Sequence, residues 1–448
     1  MSKIYELPLS YRLTRKYVCF SFRQFYSEYI ILGKENIPTE GPVIFAPNHL
    51  NALMDALAVL SVTSDRHSTV FLARSDMFKK KTVARFLTFA KIMPAFRIRD
   101  GIENLGKNAE IFERCVEVLE TNNAMGIMPE GNQELERKIR PLVKGIFRVA
   151  FSAQLKTGNS KPVKIIPVGI DLGSLTKSAK HIIINVGKPI DVAAYTEEYN
   201  QNPVAATNKI RDDLKRNLEN LVVHLDTEKY YNTFETATAL ANIPMLDKLK
   251  LADNTVNRFY ARQEIAKRLV KLEKENPVDT EKLNLLCTEF DDLSKKLNVH
   301  ISNFDRKPLN FSGSLIRIIA LALLSPLFLT GFLFNFLPFF SPVFIRKKMK
   351  VKFEGFFTSL QYGTGILTFP LFYMLQSALL TTVGGLAWYY FFILIPIEFL
   401  TRKPALVYYK KFRKFIGLIQ HQQIRKLHRT DFDKLVNLRN AVIEMIVK

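Results

Sequence analysis

Two long uncharged stretches near the C-terminus constrain this chain more than any other feature of its sequence. Residues 318–345 contain no charged side chain and lie between Arg317 and the basic run 346–348. A second uncharged stretch covers residues 355–397. A helix that crosses a bilayer needs about 20 mostly apolar residues, and both stretches exceed that length. The sequence therefore predicts that this region is embedded in a membrane.

The sequence leaves the number of membrane crossings open. Basic residues flank both stretches, and positive flanks favour the cytoplasmic side, so each stretch could enter and leave as a hairpin. The second stretch is long enough for two helices, with Gly384-Gly385 as the break. The first contains Pro326, Pro338 and Pro342, which we expect to kink its helix. Two hairpins, or two to three spans, both fit these features.

The chain is strongly basic, with a formal net charge of +22 over 448 residues. Such an excess of positive charge favours anionic partners, which include nucleic acid, an anionic membrane surface and phosphorylated small substrates. The sequence contains no zinc-finger spacing and no aromatic signature of RNA-binding domains. Together with the apolar stretches, this excludes nucleic acid and favours membrane lipids as partners.

Cysteine and histidine usage indicates neither a disulfide framework nor a metal centre. Cys19, Cys115 and Cys287 are far apart and odd in number, which is typical of ordinary buried thiols in a reducing compartment. Most histidines have no cysteines or clustered carboxylates at metal-ligand spacing. We therefore expect no metal and no cofactor.

The character of the sequence changes several times along the chain. Residues 1–28 predict an amphipathic helix, which could lie in a membrane interface or pack on the first domain. Residues 29–198 alternate strand and helix patterns, which predicts an α/β domain with a central mixed sheet flanked by helices. Residues 199–310 predict a charged helical insert or arm with a packing or partner-docking role. A hydrophobic membrane region (311–412) and a helical tail (413–448) follow.

The segment PVIFAPNHLNALMDALAVL, residues 42–60, holds the best candidate for a catalytic pair. A strand runs into a Pro-Asn-His turn, and an apolar helix follows. His49 can act as a general base, and Asp55 can orient its ring and stabilise the imidazolium. Residues six positions apart do not share a face of one helix, so we expect part of this segment to be a turn, with the helix starting near Asn51 or later.

Further segments carry residues suited to phosphate and ligand contact. The run KIMPAFRIRDG presents Arg97 and Arg99, whose planar guanidinium groups suit phosphate oxygens. In the Pro-Glu-Gly turn, Glu130 can accept hydrogen bonds from acceptor hydroxyls or order the cations of the site, and Gly131 allows close backbone approach. Lys144 stands before a glycine at a predicted helix start, where anions bind free N–H groups.

Taken in this order, these segments and the strand 165–169 (IIPVG) resemble the glycerolipid acyltransferase family, the PlsC-like enzymes that acylate glycerol-3-phosphate or 1-acylglycerol-3-phosphate. The resemblance covers about residues 28–195. It implies that Ile166 and Pro167 line the acyl or donor pocket. The usual gap of four residues between the motif histidine and aspartate is five here, as in a subset that includes fungal-type glycerol-3-phosphate acyltransferases. Asn132 replaces the more usual Thr or Ser.

We therefore expect a membrane-bound O-acyltransferase that moves a fatty acyl group to glycerol-3-phosphate, with acyl-CoA or acyl carrier protein as donor. The alternatives are a lysophosphatidate acyltransferase, an enzyme acting on another lysophospholipid, and an inactive membrane scaffold. No Gly-x-Ser-x-Gly segment is present, so a serine hydrolase is not expected. The N-terminal run MSKIYELPLSYRLTRK lacks the apolar core of a signal peptide, so we expect the catalytic domain on the cytoplasmic face.

Overall fold

A computed structural model describes residues 3–96, 107–158, 160–305 and 308–448. The chain divides into two compact units. The first comprises Met1–His224 together with Lys352–Ser359, and the second comprises Leu225–Val351 and Leu360–Lys448. A short segment that ends inside the second apolar stretch therefore belongs to the first unit.

Within the described part of the first unit, eight strands form one mixed sheet in the order β1-β7-β6-β2-β5-β3-β4, with β8 beside β6. β6 runs antiparallel to β7 and β8, and the other neighbours are parallel. This confirms the predicted mixed sheet. The strands are β1 Glu28–Leu32, β2 Val43–Pro47, β3 Thr69–Arg74, β4 Ile92–Ala95, β5 Ala124–Gly126, β6 Lys164–Leu172, β7 His181–Val186 and β8 Ile190–Asp191.

Helices flank this sheet, as the alternating pattern predicts. The central strand β2 is buried along its whole length, because it has a neighbouring strand on each side and a helical layer over its apolar side chains. The helices of the first unit are α1 Leu9–Phe25, α2 Ala52–Val62, α3 Lys81–Phe89, α4 Lys107–Glu120, α5 Gly145–Thr157, α6 Thr196–Gln201 and α7 Pro203–Leu221.

Helix α7 belongs to the core of the first unit, although the sequence places the charged insert from residue 199. Ala206, Ile210, Leu214 and Leu218 recur at intervals of four and are all fully buried in the main core cluster. The charged residues between them lie mostly on the outer face. The dense charge of this segment therefore conceals a narrow apolar stripe that completes the α/β unit.

The second unit is helical. Helices α8, α9, α10 and α14 pack on one another around buried aromatic and aliphatic side chains, among them Phe234, Phe259, Phe290 and Leu435. The helices of this unit, with α12 beginning in the first, are α8 Tyr231–Lys248, α9 Thr255–Glu275, α10 Pro277–Leu297, α11 Phe311–Lys348, α12 Phe357–Val383, α13 Tyr390–Leu427 and α14 Arg429–Val447.

Two of the described helical segments, Phe311–Lys348 and Glu354–Val383, have the length and composition needed to cross a membrane. Only 6% and 11% of their most apolar windows is buried within the protein, so most of their apolar surface is uncovered. Gly384-Gly385 separates α12 from α13, as predicted. α11 continues as one helix through its three prolines.

A buried polar cluster links the apolar helices α11, α12 and α13. Asn335 of α11 donates through Nδ2 to the backbone oxygen of Glu398 in α13, at 3.3 Å. Its Oδ1 accepts from the Tyr373 hydroxyl of α12 at 2.6 Å. Ser377 of α12 donates to the Glu398 carboxylate at 3.1 Å. These hydrogen bonds hold the three helices in register, because all four side chains are buried.

We predict that Asn335→Leu lowers the stability of the full-length protein in detergent by about 1–2 kcal/mol, the usual worth of hydrogen bonds between membrane helices. The measurement is the midpoint of thermal unfolding. Thr330→Val is the matched control, because the Thr330 hydroxyl bonds only to Pro326 of its own helix. Equal midpoints for the Asn335 variant and the control would contradict a linking role.

Candidate active site

His49 lies where the central strand β2 ends. β2 lies between the parallel strands β5 and β6, and ligands of such sheets bind at the carboxyl ends of the strands. His49 Nδ1 lies 3.0 Å from Oδ2 of Asp55. The Asp55 side chain is fully buried, and that of His49 is 17% exposed. The structure thus brings the predicted pair together, with Nε2 as the imidazole nitrogen that Asp55 does not engage.

The turn between His49 and Asp55 has an unusual backbone. Asn51 has φ −145° and ψ 62°, which is neither extended nor helical, and Ala52, at the helix start, has a positive φ of 31°. Helix α2 begins at Ala52, as predicted, so only its first turn separates Ala52 from Asp55. The backbone N–H of Asn51 donates to Asp55 Oδ2 at 2.6 Å. This bond and the contact to His49 fix one carboxylate oxygen between two donors.

Asn48 has a structural role that the sequence does not reveal. Its Oδ1 accepts from the backbone N–H of Ile170 at 2.7 Å, and its Nδ2 donates to the Ile170 carbonyl at 3.2 Å. The side chain of Asn48 therefore continues the hydrogen bonding between β2 and β6 beyond the end of β2. This bond pair fixes the backbone that enters the His49 turn.

Glu130 binds the backbone beside the candidate base. Its Oε1 accepts from the backbone N–H of His49 at 2.8 Å. Its Oε2 accepts from Arg140 Nε at 2.8 Å and from the Arg140 backbone N–H at 3.2 Å. Burial raises the pKa of Glu130, and the Arg140 charge opposes that rise. Both carboxylate oxygens are thus engaged by the protein, and one of them is paired with the Arg140 cation.

Arg140 is a site residue that sequence reasoning missed. Besides Glu130, it donates to the backbone oxygens of His49, at 3.4 Å, and of Asn132. One guanidinium group therefore joins the His49 turn to the Pro-Glu-Gly turn. Arg140 begins the RPLVKG segment, but nothing in the sequence pairs it with a glutamate ten residues earlier.

Gly131 and Lys144 lie beside each other on the same loop. Gly131 has φ +67°, and a Cβ there would approach Val143 Cγ1 to 3.0 Å, so glycine is required. The backbone N–H of Val143 donates to the Pro129 carbonyl at 2.7 Å. This bond brings Lys144, which is exposed and precedes α5, close to the Pro-Glu-Gly turn.

Ile166 and Pro167 lie in β6 opposite Phe45 and Ala46 of β2, and both are buried. β8 pairs with β6 at residues 164–165, and β7 pairs with it from Val168 onward. Pro167 falls between these two pairings, where a missing N–H is tolerated. Their place in an acyl or donor pocket stays a prediction.

Arg97 and Arg99 lie outside the described residues, just after β4 ends at Ala95. Within residues 3–96, 107–158, 160–305 and 308–448, no three His, Cys, Asp or Glu side chains group as metal ligands.

Comparison with known proteins matches this region to a family. Residues 29–171 match the family model described as Acyltransferase. Glycerol-3-phosphate O-acyltransferase 1 of Saccharomyces cerevisiae is 23% identical over 295 residues, which cover 60% of this chain and 37% of the yeast protein. The crystal structure of the 1-acyl-sn-glycerophosphate (LPA) acyltransferase PlsC from Thermotoga maritima aligns with a TM-score of 0.33 and 19% identity, covering 47% of this chain and 79% of that chain.

We predict that Arg140→Met lowers the stability of the protein by about 3–5 kcal/mol, because it leaves the buried Glu130 carboxylate without its counter-charge. Burial raises the pKa of Glu130 in the folded state, so folding favours the protonated carboxyl once Arg140 is absent. The variant should therefore lose further stability as the pH rises from about 4 to about 7.

Thermal unfolding across that pH range measures both effects. Arg148→Met is the matched control, because it removes an exposed arginine of α5 whose guanidinium lies over the Phe112 ring. A double variant, Glu130→Gln with Arg140→Met, should recover part of the stability and lose the added pH dependence. An Arg140→Met protein as stable as the control would refute the ion-pair account.

Proposed function

We propose that this chain transfers a fatty acyl group from a thioester donor to glycerol-3-phosphate. Residues 29–171 form an acyltransferase domain of the PlsC-like glycerolipid family, as the motifs predict. The observation that carries the proposal is the 3.0 Å contact between His49 Nδ1 and Asp55 Oδ2 at the end of the central strand. The chain spans about a third of the yeast relative's length, 37%, so the activity of that whole protein is extended here as a proposal.

In the proposed reaction, His49 Nε2 removes the proton of the acceptor hydroxyl as that oxygen attacks the thioester carbonyl. A tetrahedral intermediate forms directly, without an acyl-enzyme. The carbon–sulfur bond then breaks, and the thiolate leaves and takes up the proton held by His49. General base catalysis of this kind contributes about 10²–10⁴ in rate.

Asp55 supports this step electrostatically. Its carboxylate is fully buried, so its attraction for the imidazolium formed during the reaction is little weakened by water. The Asn51 N–H holds the same oxygen at 2.6 Å, which prevents the carboxylate from turning away from His49. The base is therefore oriented before the substrate binds, and its reorganisation during the reaction is small.

The acceptor phosphate is assigned to Lys144 together with Arg97 and Arg99. Lys144 is exposed beside the Pro-Glu-Gly turn, and the adjacent Glu130–Arg140 pair joins that turn to the His49 backbone. A cation in this place can hold a phosphate while a hydroxyl of the same molecule reaches the base. The net charge of +22 favours the approach of anionic substrates.

The donor is proposed to be acyl-CoA or acyl carrier protein, with its chain bound near Ile166 and Pro167. The uncovered apolar surface of α11 and of Glu354–Val383 supports a membrane location, which gives access to acyl chains. On the first unit, α1 also exposes Leu9, Leu13 and Phe20. We assign the catalytic unit to the cytoplasmic face.

The proposed acceptor is glycerol-3-phosphate, because the five-residue gap between His49 and Asp55 follows the fungal-type subset and the yeast relative is named for that acceptor. The runner-up is lysophosphatidate. The test is acyl transfer by the full-length protein in lipid nanodiscs, with labelled acyl-CoA and each acceptor offered separately, followed by acyl carrier protein as donor.

We expect transfer to glycerol-3-phosphate, and its loss in His49→Ala. His300→Ala is the control, because His300 is an exposed histidine outside the first unit. Transfer to lysophosphatidate alone would make that acceptor the substrate. If folded wild-type protein uses neither acceptor with either donor, the inactive scaffold is favoured. Full activity in His49→Ala would show that His49 is not the base.

Asp55→Asn should lower kcat by about 10²–10⁴-fold with little change in the KM for the acceptor. The amide keeps the shape of the side chain but loses its charge and can bind the wrong tautomer of His49. Steady-state kinetics in nanodiscs measures both constants. An unchanged kcat would show that the buried carboxylate is not needed to orient the base.

Lys144→Met should instead raise the KM for glycerol-3-phosphate by about tenfold or more, because it removes a charged contact to the phosphate. Lys156→Met is the matched control, since Lys156 lies at the other end of α5 and pairs with Glu120. If both variants have the wild-type KM, the acceptor phosphate binds elsewhere.

A further inference from the structure

The first turn of α12 places two hydroxyl groups on the turn that carries the candidate base. Thr358 Oγ1 accepts from Asn51 Nδ2 at 2.6 Å, and Ser359 Oγ donates to Asn51 Oδ1 at 3.0 Å. All three side chains are buried, with Asn51 fully so. Thr358 and Ser359 lie about 300 residues from Asn51 in sequence, yet Lys352–Ser359 belongs to the first unit.

Asn51 is bound at both ends of its amide. Nδ2 also reaches the Leu175 carbonyl, at 3.3 Å, and the Thr358 hydroxyl donates to that same carbonyl at 3.1 Å. The amide is thus fixed between α12 and the loop after β6. Because a buried amide without partners is costly, the two hydroxyls determine where the Asn51 side chain can lie.

The position of Asn51 in turn determines the position of Asp55. The backbone N–H of Asn51 donates to the carboxylate oxygen that contacts His49. The next residue, Ala52, has a positive φ of 31°, a conformation that a non-glycine residue keeps only when its surroundings impose it. The turn between His49 and Asp55 thus needs support from outside itself.

We propose that Thr358 and Ser359 are positioning residues for the reaction, which hold the His49–Asp55 pair through Asn51. The inference rests on the proposed acyl transfer. It assigns a task at the active site to the first turn of α12, which lies at the start of the candidate membrane segment Glu354–Val383. Thr358 and Ser359 do not touch the reacting atoms. They keep Asn51, and with it the carboxylate, where His49 needs it.

The test compares Thr358→Val with Thr358→Ser in the full-length protein in lipid nanodiscs. Valine keeps the volume of threonine and removes the hydroxyl, whereas serine keeps the hydroxyl. Thr364→Val is the matched control, because Thr364 lies in the same helix and bonds only to carbonyls of its own helix. The readouts are kcat, the KM for the acceptor, and hydrogen exchange of peptides covering residues 48–57.

For Thr358→Val we expect kcat to fall by about tenfold to a hundredfold with an unchanged KM, because small displacements of catalytic groups are costly. Exchange in residues 48–57 should rise. Thr358→Ser should restore both readouts, and the control should match the wild type. In an Asn51→Ala background, Thr358→Val should add little further loss, since both changes break one linkage.

The inference would be overturned if residues 48–57 of Thr358→Val exchanged hydrogen at the wild-type rate. It would also be overturned if the wild type is active and Thr358→Val has an unchanged kcat. The inference would also be overturned if Thr358→Val lowered kcat by the same factor in the Asn51→Ala background as in the wild type. If the wild type transfers no acyl group to any acceptor, the proposed function fails. The exchange comparison then still decides whether Thr358 holds the turn, so the two failures are distinguishable.

Discussion

The candidate site depends on how one buried carboxylate oxygen is shared. Oδ2 of Asp55 accepts from the Asn51 N–H and contacts His49 Nδ1. A carboxylate removed from water is stable only when such partners are in place. The need of the carboxylate for these partners therefore fixes the positions of the imidazole, the turn and the start of α2 together. Ala52, which has a positive φ, is the first residue of that helix.

Support for this turn comes from three separate parts of the chain, which are β6, the loop 130–133 and the start of α12. Asn48 ties the turn to β6, Glu130 binds the His49 N–H, Gln133 accepts from the Ala52 N–H at 2.8 Å, and Thr358 holds Asn51. The central position of β2 makes this possible, because neighbouring strands bring their following loops to the same edge of the sheet. A turn at an edge strand would have fewer neighbours.

Local features of the sequence were sufficient to predict the mixed sheet, the start of α2 near Asn51 and the break at Gly384-Gly385, because alternation, periodicity and glycine act over a few residues. The family resemblance identified from ordered motifs is confirmed by the Acyltransferase model over residues 29–171.

Arg140 and Thr358 could not be found this way. Their roles arise from hydrogen bonds to distant backbone and side-chain groups, which leave no periodic signal. The buried face of α7 was missed because charged residues outnumber its apolar stripe.

The division of the chain also bears on how an enzyme could combine a water-soluble acceptor with an apolar donor. The net positive charge of the chain suits the proposed anionic acceptor, and the uncovered apolar helices suit the proposed acyl donor. The chain returns to the first unit at Lys352–Ser359, a segment that includes the start of the candidate membrane segment Glu354–Val383. It does so at residues that bind Asn51. A connection with no task at the site would need no buried hydroxyls there, since apolar residues would pack the same space without unsatisfied polar groups. The buried Thr358 and Ser359 are therefore best explained by what they hold.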